Sequence, residues 1–212
     1  MKLRVMAMTL AIVATAFGSA LAQSGGTIGI FADNMGTSCD ITTTLYVQTE
    51  FFILANPNTA NTAGGVNGAE FRIVGDPSTG GIVTAVANPA SNVALGNPFE
   101  IAANPPGSKG GCNIAFPTCQ LPDAQGFVLL YTVQYFPTAV VSVDMQVDRA
   151  DPPSNPSLAN CPLINACDAP VFTAVCAVGG RAYMNPTVPG AACTEVAVQE
   201  NTWSEVKSLY SN

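Results

Sequence analysis

FVLLYTVQYFPTAVVSVDMQVD, residues 127–148, is the stretch whose reading decides the fold class. Phe127, Leu129, Tyr131, Val133 and Tyr135 fall on one side of an extended chain. Further on, Val141, Val143, Met145 and Val147 face one way and Ser142, Asp144, Gln146 and Asp148 the other. A period of two is what a strand with one buried and one wet face requires. Pro137-Thr138-Ala139 interrupts the two runs as a turn, so the stretch reads as a hairpin. It predicts an all-β, antiparallel β-sandwich.

Working outward, the same alternation recurs in shorter pieces. Thr27 to Asp33 places Ile28, Ile30 and Ala32 together, and Thr44 to Leu54 places Leu45, Val47, Phe51 and Ile53 inward with Tyr46, Gln48 and Glu50 outward. Val66 to Val74 puts Ala69, Phe71 and Ile73 on the core side and leaves Glu70 and Arg72 on the wet one, as a solvated pair. Gly81 to Ala87 is a weaker strand, and Cys112, Ile114 and Phe116 mark another. Short strands are expected at 171–175, 180–184 and 195–199. Between them lie long loops: residues 56–65 are polar and glycine-rich, and Pro89, Pro98, Pro105 and Pro106 forbid long elements from 88 to 111. The period changes at the end. Thr202-Trp203-Ser204-Glu205 has capping-box spacing, and Trp203, Val206, Leu209 and Tyr210 share a helical face, which predicts a short helix over 203–210.

The first 22 residues have a basic start, an apolar run from Val5 to Phe17 and an Ala20-Leu21-Ala22 ending, the pattern of a secretory signal peptide. Residues 23–212 then form a single secreted β-sandwich domain, with no stretch apolar enough for a membrane helix. Five basic residues remain in that part against fourteen acidic ones. So acidic a chain is a poor match for nucleic acid or an anionic membrane. All seven cysteines (Cys39, Cys112, Cys119, Cys161, Cys167, Cys176 and Cys193) lie beyond the leader. In an oxidising compartment they read as disulfides. Sequence does not fix the pairing; the local options are Cys112–Cys119, Cys161–Cys167 and Cys176–Cys193, with Cys39 left over. The odd thiol makes a covalent dimer an expectation.

Histidine is absent, which excludes Ser-His-Asp and Cys-His catalysis. Fourteen carboxylates leave a two-acid glycosidase open, but the sequence nominates no pair. For calcium, Asp33, Asn34 and Asp40 bracket one turn, and Asp144, Asp148 and Asp151 gather near another; ordinary turn chemistry is the preferred reading. No cofactor and no metal ligand are assigned. A sugar-stacking platform would need exposed rings. Tyr46 and Phe52 fall on the less buried side of their strand, and Tyr135 and Phe136 flank the turn at 137–139, so Tyr46 and Tyr135 are the candidate ligand-face residues.

Val66 to Val74 followed by Phe127 to Asp148 resembles cohesin-like and related carbohydrate-binding sandwiches. The chain also looks like uncharacterised exported bacterial β-sandwich proteins that open with an IGIFAD-like strand and a Gly-Thr-x-Cys turn, here Gly36 to Cys39. They close with a Thr-Trp-x-x-Val-Lys-x-Leu-Tyr segment, here Thr202 to Tyr210. The first resemblance implies a Cohesin- or Ig-like sandwich that binds a partner; the second brings no activity with it. Together these readings give a non-enzymatic extracellular binding or structural module for a protein or glycan. A carbohydrate-binding module proper is the alternative, and a carboxylate hydrolase the less favoured one.

Overall fold

A computed structural model describes residues 25–58, 62, 64–99, 109–167 and 173–188. The expected signal peptide, the helix at 203–210, the strand at 195–199 and Cys193 lie outside the described residues. The strands, in chain order, are β1 (Gly26–Phe31), β2 (Asp40–Ile41), β3 (Thr49–Pro57), β4 (Val66–Val74), β5 (Gly81–Ala87), β6 (Val93–Asn97), β7 (Gly111–Gln120), β8 (Val128–Pro137), β9 (Val143–Asp148), β10 (Leu163–Ala166), β11 (Ala174–Cys176), β12 (Val178–Gly179) and β13 (Arg181–Met184). Two 3-10 turns, Pro77–Gly80 and Pro156–Leu158, join them. Among the described residues no helix is long and apolar enough to cross a membrane.

The protein is an all-β sandwich. One sheet runs β12-β1-β3-β8-β5 and the other β11-β10-β4-β9-β13-β2, with β7 also on β4 and β6 beyond β7. All pairings are antiparallel except β1 with β12 and β13 with β2. Alternation supplies the core: Ile28 and Ile30 from β1, Phe51 and Ile53 from β3, Phe71 and Ile73 from β4, Val133 from β8, and Met145 and Val147 from β9 are all buried. Burying each such side chain is worth about 1.5–3 kcal/mol. Aromatic edges lock the layers, with Phe71 against Tyr131 at 6.1 Å and Phe51 against Phe99 at 6.2 Å, both near perpendicular.

Several expectations are corrected. Residues 127–148 are not a hairpin. β8 has β3 and β5 on its two edges, so β9 crosses to the other sheet, where it pairs with β4 and β13. The crossing starts where Thr138 and Ala139 donate their N–H groups to Gly80 O. Within β8, Ile53 faces Tyr131 but Leu54 faces Leu129, a bulge that leaves Leu130 unmatched. One extra residue inverts the facing. Val128 and Leu130 are therefore buried, while Phe127 and Leu129, expected inward, are only half-buried.

The strand expected at Thr44 begins at Thr49; Leu45 and Val47 lie in the preceding turn and are exposed. Glu70 and Arg72 are not solvated. The segment 149–162 covers them: Ser154 N–H donates to Glu70 Oε1, Arg72 Nε donates to Arg149 O, and Arg72 pairs with Asp148.

The disulfides also differ from the local options. Cys119 pairs with Cys167 and Cys161 with Cys176, each with Cα atoms 5.5 Å apart, and Cys39 is disulfide-bonded too. Cys112 and Cys119 lie in one continuous strand, where seven residues rise about 23 Å, far beyond disulfide reach. Cys119–Cys167 passes over Gly65, where an added Cβ would sit 2.5 Å from Cys119 Sγ, so only glycine fits. The free thiol among the described residues is therefore Cys112, not Cys39.

Candidate interaction surface

Phe136 is an outward residue near the end of β8, and the register sets Ile82 of β5 directly beside it. The turn at 44–48 brings a third side chain. Tyr46 N–H donates to Pro137 O at 2.9 Å and Val47 N–H to Thr44 O at 3.0 Å. Tyr46 adopts the left-handed conformation, with φ of 60°. For a bulky residue that costs about 1–2 kcal/mol. The result is a ring set 6.5 Å from that of Phe136, tilted by 41°. Ile82 and Tyr46 are each 64% exposed and Phe136 39%.

Leu45 and Val47 of the same turn are exposed as well. Val140, in the loop bonded to Gly80, adds to this end of the sandwich. Along the sheet the surface turns polar, through Thr84, Gln134 and Glu50; Gln134 donates to Glu50 at 3.4 Å. An apolar centre with a polar margin is the build of a recognition surface.

Tyr46 thus stands on this surface and Tyr135 does not. Tyr135 is 0% exposed, because it alternates with Tyr131 and Val133 on the core side of β8. Burial raises its phenol pKa, and the hydroxyl has no hydrogen-bond partner among the described residues. Leu45 and Val47 were expected inward on a strand from Thr44, and Ile82 and Val140 carry no mark of their exposure in a period-two pattern. The bonding of Tyr46 to Pro137 is a long-range contact with no local signal.

Three of the described carboxylates, Asp33, Asp76 and Asp123, hold turns. Asp33 accepts from Met35 N, Thr37 N, Thr37 Oγ1 and Ser38 N. Burial works against its charge, but these donors outweigh it and hold the carboxyl below its ordinary value. Asp76 caps the turn at 77–80 and Asp123 accepts from Gln125 and Phe127. Two grooves carry one carboxylate each: Asp144 beside Tyr183, Met184 and Val188, and Asp151 beside Gly110 and Gly111. Neither assembles the pair that glycoside hydrolysis needs. Among the described residues no group of three or more Asp, Glu or Cys is placed to hold a metal.

No family model and no curated protein match this chain. Among solved structures, a cohesin module from the family 33 glycoside hydrolase of Clostridium perfringens is similar, with a TM-score of 0.41 and 10% identity. The match covers 76% of this chain and 98% of that one.

Proposed function

We propose that this protein is a non-enzymatic extracellular module that binds another protein through the outer face of its five-stranded sheet. The observation that carries this reading is the apolar cluster of Tyr46, Phe136 and Ile82, held on rigid strands and one strained turn. Leaving such side chains in water is unfavourable, and strain stored in an exposed aromatic residue is a mark of function rather than of stability. The disulfides support a location outside the cell or in the periplasm, where thiols are oxidised. The aliphatic neighbours and the 41° tilt between the rings favour a protein over a glycan, which stacks on coplanar rings.

The test immobilises the mature chain and a Tyr46→Ser/Phe136→Ser variant, and exposes both to the exported proteins of the source culture and to a glycan array. The expected result is a protein retained by the first and lost from the second. Equal retention by both, or binding to glycans alone, would sink the proposal.

A further inference from the structure

β5 is the last strand of its sheet among the described residues: β8 lies on one side and no strand on the other. Two bonds show which backbone groups remain free. Asn88 N–H donates to Leu130 O and Thr138 N–H to Gly80 O, both at 2.8 Å. Bonded positions recur at every second residue of an antiparallel ladder. With Ile82 opposite Phe136 and Thr84 opposite Gln134, positions 80, 82, 84, 86 and 88 bond to β8. The N–H and C=O groups of Val83, Ala85 and Ala87, with the C=O of Gly81, therefore point out of the sheet edge, while Gly81 N–H turns back to Ser78 O. Proteins usually guard such an edge with lysine, proline or a bulge, and Gly-Ile-Val-Thr-Ala-Val-Ala has neither charge nor proline.

The segment is also its own complement. Laid antiparallel on a copy of itself about Thr84, it sets Val83 against Ala85, Ile82 against Val86 and Thr84 against Thr84. The outward backbone groups then coincide with the bonded positions of the new ladder, giving about six inter-strand bonds. The solvent row reads apolar, threonine, apolar, and Thr–Thr pairs across strands are favourable. Although the chain carries a net charge of −7, no charged side chain of β5 is opposed in this contact.

We infer that a second copy of this chain pairs with β5 edge to edge, joining two sheets across a two-fold axis. This goes beyond the partner-binding reading, because it uses the backbone of the edge rather than the ring cluster.

Sedimentation of the mature chain across concentrations tests it, with a reversible dimer expected. Ala85→Pro removes one outward N–H and none that bonds to β8, so it should give a folded monomer. Thr84→Lys and Thr84→Glu should each weaken the dimer about tenfold or more by setting like charges face to face, and an equimolar mixture of the two should dimerise again. Tyr46→Ser/Phe136→Ser should leave dimerisation intact, which separates this inference from the binding surface. A wild-type chain that stays monomeric up to its solubility limit overturns the inference. So does a dimer that both Thr84→Lys and Ala85→Pro leave at wild-type strength, or an edge that takes only foreign peptides.

Discussion

Cys112 and Asp33 show how single residues respond to where the fold puts them. Cys112 lies in the core, where burial pushes its thiol up to about 12. It should resist alkylation in the native protein and become labelled once the chain is unfolded; labelling of the native protein at neutral pH would contradict its placement. Because the folded value lies above the unfolded one, near 8.5, this group's contribution to stability is complete below about pH 8.5 and is lost as pH rises toward 12. Cys112→Ala should flatten that alkaline decline, as followed by thermal melts. The buried thiol also removes the expectation of a covalent dimer through an odd cysteine.

Asp33 has the opposite sign. Its lowered value means that its contribution is present above the unfolded value, near 3.9, and is lost as pH falls through the folded one. Asp33→Ala should cost about 1–2 kcal/mol near pH 7, with a shrinking difference from wild type in acid. A difference that does not change with pH would show that the carboxylate charge is not what holds the turn. The preference for turn chemistry at Asp33 was legible in sequence, since Asp before a Gly-containing turn accepts nearby amides. The burial of Cys112 was legible from its alternation with Ile114 and Phe116, but that alternation says nothing of which sulfur meets which.

At the level of elements, β4, β5 and the inward faces of β1, β7 and β9 follow directly from period two, and their bounds or buried residues match the alternation. The failures have one cause each. A bulge opposite Ile53 and Leu54 inverted the start of β8, and a turn with a left-handed Tyr46 replaced the start of a longer strand. Neither the pairing of β8 nor the covering of Glu70 and Arg72 by residues 149–162 is a local property, so neither was readable. The two described disulfides staple different parts of this arrangement. Cys161–Cys176 closes 15 residues and Cys119–Cys167 closes 48. On loop entropy, replacing each pair by alanine should cost about 3 and about 4 kcal/mol respectively. Denaturant unfolding of the two double variants checks the order, and a larger loss from the shorter loop would show that strand contacts rather than chain entropy dominate.

For the whole molecule, the sandwich was legible because burial of one face repeats along the chain, whereas the proposed binding surface was not. Of the two rings proposed from sequence, Tyr46 reaches the surface and Tyr135 fills the core. The surface exists only after β5, β8 and the turn at 44–48 are assembled, and its aliphatic members carry no sequence signature. The proposed function therefore turns on where a partner binds. The most direct measurement is the affinity of the captured partner for Tyr46→Ser, Ile82→Ser and Phe136→Ser, with Leu95→Ser on β6 as an exposed apolar control elsewhere. Each of the three substitutions is expected to weaken binding by about tenfold or more, with the control unchanged. Undiminished affinity in all three, or a loss confined to the control, would contradict the account.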